Sequence, residues 1–166
     1  QYALDLLSVI LGEGMSSRLF VEVRENQGLA YDVHSGVAHF QDTGAFAISA
    51  GVDPKRVYDA VQTILREVSI VKDGVPEEEM EKAKRLVAGR LLLRMEDTRV
   101  VSGWMGSQEL LQGRVLDLDE VVERVNRVTP DDIRKVANDV LVTNKLNIAM
   151  VGPNRGERRL RRLLQL

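Results

Sequence analysis

Cysteine is absent from the 166 residues, which rules out disulfides and thiolate metal ligands and leaves the compartment open. Histidine is scarce, with only His34 and His39. Both fall on one expected strand. Their separation of five residues sends them to opposite faces, so they cannot share an ion without a bulge. A zinc site here would have to rest mostly on carboxylates, an unusual donor set for that metal. Uninterrupted apolar runs are short, Leu91-Leu92-Leu93 being an example, against roughly 20 residues for a helix that crosses a bilayer. A formal net charge of −2 creates no field that would draw nucleic acid or an acidic surface. No Gly-x-Ser-x-Gly elbow occurs. What remains is 44% hydrophobic and 29% charged residues, the composition of one globular domain rather than a disordered or membrane chain.

The chain opens without an initiator Met, and Leu4, Leu7, Ile10 and Leu11 recur at helical spacing. No basic segment precedes them and Asp5 interrupts the apolar stretch, so this is not a signal peptide. An uncapped helix at the first residue reads as a chain cut from a longer one. Gly12-Glu13-Gly14 ends this helix. Ser16 or Ser17 then caps a second one that buries Leu19, Phe20 and Val23, with Gly28 as its left-handed stop. Two strands follow, over about 30–40 and 45–52, joined by Gln41-Asp42-Thr43-Gly44. Asp53-Pro54 starts a helix whose stripe runs from Val57 through Ala60, Ile64 and Val68 to Val71. The acidic turn Glu77-Glu78-Glu79 opens another, which buries Met80, Ala83, Val87, Leu91 and Met95. A helix over about 98–111 buries Val101, Trp104, Met105 and Leu111. Two shorter helices are expected over 118–125 and 130–141, the latter announced by Thr129-Pro130-Asp131-Asp132. Residues 146–151 read as a last strand, and the tail carries Arg155, Arg158, Arg159, Arg161 and Arg162.

This order does not alternate as βαβ units do. It predicts an α+β fold, a mainly antiparallel sheet with helices packed on one face. Three visible strands are few for so many helices, and a leading strand is expected ahead of Gln1. The domain spans 1–153, and 154–166 is a basic Arg/Leu-rich tail in which Leu160, Leu163 and Leu164 form an amphipathic turn against the domain or a partner.

Local chemistry is sparse. The acidic groups Glu77–Glu79 and Asp117, Asp119 and Glu120 are explained as helix starts. Gly12-Glu13-Gly14-Met15-Ser16-Ser17 precedes a helix but lacks a Walker lysine, so it reads as a tight turn for helix packing rather than a phosphate cradle. Arg24 falls in the last turn of its helix, where the dipole favours a cation, and Tyr31 begins a strand. By local pattern alone, capping and packing account for both.

The run from Leu11-Gly12-Glu13-Gly14-Met15-Ser16-Ser17-Arg18-Leu19-Phe20 to Val23-Arg24-Glu25-Asn26-Gln27-Gly28-Leu29-Ala30-Tyr31 resembles the second-domain signature of pitrilysin/insulinase-type zinc metallopeptidases, the group that includes mitochondrial processing peptidase. Asp42-Thr43-Gly44, Gly113-Arg114, Val128-Thr129 and Val151-Gly152-Pro153 fit the same pattern, so the likeness covers about residues 2 to 153. Pro76 departs from it, standing where a capping Thr is often found. The resemblance implies a mitochondrial processing peptidase-like metallohydrolase domain, one of two that close like a clamshell. Zinc and the catalytic base then belong to the other domain, on an inverted His-x-x-Glu-His helix that this sequence lacks. The cofactor expectation is thus none in this chain, with zinc in an N-terminal domain or partner subunit. An Arg and a Tyr seven residues apart, here Arg24 and Tyr31, are implied to reach across to that site and to stabilise the oxyanion formed on a peptide carbonyl. The chain alone is expected to be inactive. The alternative within the family is a non-catalytic partner or core-protein-like scaffold. The partners implied are the zinc domain and a peptide substrate, with self-association through uncovered surface and with no nucleic acid or membrane. A bacterial cytoplasm is expected over an organelle.

Overall fold

In the computed structural model, which describes residues 1–153 and 156–166, helix α1 (Tyr2–Gly12) is the element around which the rest is built. Its second half is buried all round and, apart from Ser8, apolar; Leu6, Leu7 and Leu11 have no exposed surface. Such a helix must be enclosed by other elements. Strands β1 (Ala30–His39) and β2 (Gly44–Val52) form an antiparallel hairpin, and α1 lies against β1. Helices α2 (Val57–Val71), α3 (Glu77–Arg94), α5 (Leu118–Asn126) and α6 (Pro130–Val140) close around α1 from the other sides. Between α3 and α5 runs α4 (Thr98–Gln112), and a last helix, α7 (Glu157–Leu163), rests on α2. This is the expected α+β arrangement with helices on one face of an antiparallel sheet.

One close approach fixes how α1 meets the hairpin. A Cβ on Gly12 would lie 2.5 Å from the Ser35 backbone nitrogen, so only glycine lets the last turn of α1 touch β1 there. Ser35 Oγ donates to the Ser8 carbonyl at 2.7 Å, and Ser8 Oγ donates to Glu13 Oε1 at 3.0 Å. These bonds satisfy the polar groups that the contact buries.

The hairpin register pairs Val33 with Ala50, Ser35 with Ile48 and Val37 with Phe46 on the face toward α1. His39 is on that side, its Nε2 2.6 Å from Asp5 Oδ1 on α1, whereas His34 is on the other. The opposite face carries His34 and Asp32 at one end, and beside and beyond them Gly36, Ala38, Ala45, Ala47, Ser49 and Gly51, none larger than serine. Capping boxes start α5, through Asp117 and Glu120, and α6, through Thr129 and Asp132.

Four expectations are corrected. Ser16 and Ser17 do not cap the second helix; Ser17 Oγ instead donates to the Gly14 carbonyl at 2.8 Å, and residues 20–26 form a π-helical segment (Phe20–Asn26). Asp53 makes a turn, its carboxylate accepting the Lys55 N–H at 2.9 Å, and α2 starts later. In α3 and α4 the apolar stripe is only partly covered. Met80 and Ala83 are buried, but Val87, Leu91, Met95, Val101 and Trp104 are half-buried, and Met105 and Leu111 are exposed. Residues 146–151 are not a strand, because no neighbour pairs with them; the sheet among the described residues has two strands.

Arg155 of the basic tail lies outside the described residues. Of the remainder, Leu160 is buried and the Arg159 guanidinium lies 4.0 Å from the centre of the Tyr58 ring. Leu166 N–H donates to Thr143 Oγ1 at 2.9 Å, so the tail folds back onto the domain.

Candidate functional site: an arginine and a tyrosine at a strand bulge

Arg24 and Tyr31 are carried by adjoining elements, a helix end and a strand start. The helix is anchored by Leu19 and Val23, both without exposed surface, which turns Arg24 to the outside. Widening to π-helix is rare overall and frequent at functional sites. Gly28 takes φ +56°, and the Leu29 N–H reaches back to the Val23 carbonyl at 2.8 Å, so the chain reverses sharply into β1. The turn is tied to α2: Arg56 Nη1 donates to the Gln27 carbonyl at 3.0 Å, and Thr63 Oγ1 donates to Gln27 Oε1 at 3.1 Å.

At the start of β1, Ala30 pairs with Val52 and Asp32 with Gly51, leaving Tyr31 unmatched. A bulge of this kind shifts the side-chain alternation and re-aims the extra residue. Ala30 and Val33 are buried, while Tyr31 and Asp32 both point outward. Tyr31 is 86% exposed, a high value for an aromatic ring.

The two groups meet. The Arg24 guanidinium carbon lies 4.8 Å from the centre of the Phe20 ring and 5.7 Å from that of Tyr31. Guanidinium over aromatic faces at exposed positions contributes about 0.5–1 kcal/mol, enough to bias the orientation of a flexible arginine. Its Nε is 3.6 Å from Glu25 Oε1, a loose ion pair that leaves most donors of the fork available. Chemically, the surface offers a phenol and a guanidinium, two hydrogen-bond donors suited to an oxygen carrying negative charge.

Sequence reasoning named Arg24 and Tyr31 as candidates but missed the parts that join them. Phe20 was expected inside; it is half-buried, with its ring toward Arg24. The bulge had a signal, since buried Ala30 and Val33 are three apart and break the period of two. Beyond the bulge, His34 Nδ1 lies 3.2 Å from Asp32 Oδ2 on the outer face.

Among the described residues, no three of His, Asp and Glu cluster closely enough to hold a metal ion. The donor set of the described residues therefore does not fit zinc. A cavity of about 390 Å³ opens beside α1 and α3, lined in part by Glu13, Glu22, Glu67 and Glu79. Each of these carboxylates already has an arginine: Arg90 for Glu13, Arg18 for Glu79, and Arg66 for Glu22 and Glu67. It is a charge-compensated cleft, with no donor set like that around Arg24.

Comparison with known proteins places the chain in a family. The family described as the peptidase M16 inactive domain matches residues 1–87. The chain is 38% identical over 154 residues to an uncharacterized zinc protease of Streptomyces coelicolor, covering 92% of this chain and 33% of that protein. A protease from Helicobacter pylori superposes with a TM-score of 0.75 at 27% identity, over 84% of this chain and 34% of that one. The peptidase M16 inactive domain from Pseudomonas fluorescens does so with a TM-score of 0.75 at 24% identity, over 84% and 34%, a likeness of fold. The chain belongs to the peptidase M16 inactive-domain family. It spans about a third of the length of the curated relatives it matches.

Proposed function

We propose that this chain is the metal-free half of a zinc-dependent endopeptidase and that Arg24 and Tyr31 are its contribution to peptide hydrolysis. Zinc is assigned to another domain or subunit, since the residues here do not fit it. Tyr31 O–H donates to the oxygen of the scissile carbonyl as negative charge develops there. Arg24 holds a substrate carbonyl or shares that charge. The outer face of the hairpin, mostly glycine, alanine and serine apart from His34 and Asp32, offers room for an extended peptide beside them. The observation that carries this reading is the meeting of Arg24 with Tyr31 at an exposed bulge. A scaffold without a reaction would give the bulge and the outward phenol no task.

The test is Tyr31→Phe in the full gene product. Turnover of a peptide substrate falls about 100-fold, the usual worth of one oxyanion donor, while zinc content is unchanged. Full turnover in that variant removes Tyr31 from the mechanism. For the isolated 166-residue chain the same reading predicts no cleavage. It also predicts self-association through the uncovered apolar residues Leu92, Leu93, Leu110 and Leu111. A monomer mass by light scattering contradicts the second expectation.

A further inference from the structure

Gln27 stands between the two donors, three residues after Arg24 and four before Tyr31. Its main chain and its side chain are both engaged. Arg56 Nη1 donates to its carbonyl at 3.0 Å, and Thr63 Oγ1 donates to its Oε1 at 3.1 Å. Its own Nε2 donates to Glu22 Oε2 at 3.4 Å, an oxygen that Arg66 Nη2 also holds at 3.3 Å. Arg56 directly precedes α2, and Thr63 and Arg66 belong to it, so one helix supplies most of this grip. That helix is itself seated in the core through Ala60, Val68 and Val71. Thr63 is 6% exposed, as is Glu67, which shares Arg66 at 3.3 Å.

Apolar side chains would close such a seam without needing partners. Satisfied hydrogen bonds instead fix distance and angle, and a network of them singles out one geometry. What this network fixes is the place of residue 27 relative to α2. The neighbouring Gly28 N–H donates to the Arg24 carbonyl at 3.1 Å, and its left-handed turn leads on to Tyr31. We propose that Gln27 is a positioning residue for peptide hydrolysis: its bonds to Thr63 and Arg56, and to Arg66 through Glu22, set the separation and direction of Arg24 and Tyr31. This rests on the reading of those two residues as donors to the developing oxyanion. Gln27 touches no reacting atom and acts through both donors. A reacting group misplaced by about 1 Å can lose about 100-fold in rate, so loosening Gln27 affects turnover more than stability.

Kinetics on the full gene product test it. Gln27→Met keeps the length of the side chain and removes both of its bonds. It lowers kcat about 10-fold, with KM within about twofold and zinc content unchanged. Thr63→Val, close in shape but without the donor, shows part of the same loss, and Thr63→Ser restores turnover. In the Arg24→Ala, Tyr31→Phe double variant nothing remains to be aimed, and there Gln27→Met changes turnover by less than about twofold. The full loss persisting in that background gives Gln27 a structural role only and overturns the proposal. So does an undiminished kcat in Gln27→Met when Tyr31→Phe loses turnover. Full turnover in both Arg24→Ala and Tyr31→Phe overturns the reading of the site and this proposal with it, which separates the two failures.

Discussion

Helices α1 and α4 both carry large apolar side chains, α1 more densely, and these meet opposite fates. Leu6, Leu7 and Leu11 of α1 have no exposed surface, whereas Met105, Leu110 and Leu111 of α4 are 46%, 86% and 57% exposed. The difference does not come from propensity. It comes from what stands opposite: α1 is faced by β1, α2, α3, α5 and α6, while the second half of α3 and the whole of α4 extend beyond that cluster. A periodic apolar stripe states which face of a helix seeks cover, and only the neighbours decide whether cover is found.

The sharpest way to break this comparison is to truncate one leucine on each side. In the isolated chain, diluted until it is monomeric, Leu7→Ala removes a fully enclosed side chain and costs about 3 kcal/mol in urea unfolding, while Leu110→Ala changes stability by less than about 0.5 kcal/mol. Equal costs would mean that α4 is covered in solution. Next comes the contact between α1 and the hairpin. Gly12→Ala forces a Cβ onto the Ser35 backbone and costs roughly 2 kcal/mol, read from the same unfolding curve. A neutral result would show that the two elements separate easily. A smaller loss belongs to Gly28→Ala, where space is free but φ is positive; about 1 kcal/mol is expected. Its effect on turnover in the full gene product should exceed its effect on stability if the turn aims Tyr31.

The smallest effect is on the acid limb. The Thr129 backbone N–H, then its hydroxyl, donate to the Asp132 carboxylate and hold its pKa below the ordinary carboxylate value. A pKa lower in the folded state gives stability that is present above the unfolded value, roughly 4, and is lost as pH falls through the folded one. Because the group is exposed, solvent screening keeps the gain small. Asp132→Asn should flatten the fall of Tm below about pH 4, and an unchanged profile would assign that fall to other carboxylates.

Much of the fold was legible where local chemistry and tertiary context agree. The bounds of the hairpin, the opposite faces of His34 and His39, the Thr129 start of α6 and the end of α1 at Gly12 all follow from spacing or sterics within a few residues. The π-helical segment was not legible, because Ser17 caps nothing and the widened turn is set by how Leu19 and Val23 seat in the core. The failed strand at 146–151 was a different kind of miss, since its pattern is sound but a strand exists only by its neighbour. Of the candidate site, the two residues came from a resemblance of sequence, while the bulge and the Phe20 ring that bring them together needed coordinates.

The central claim is that Arg24 and Tyr31 act as one unit. A double-mutant cycle in the full gene product tests it: peptide turnover and zinc content are measured for Arg24→Ala, Tyr31→Phe and the pair. The account predicts that each single change loses about 100-fold and that the double change loses far less than the product of the two, at constant zinc content. Losses that simply multiply, or full turnover in either single variant, would contradict it.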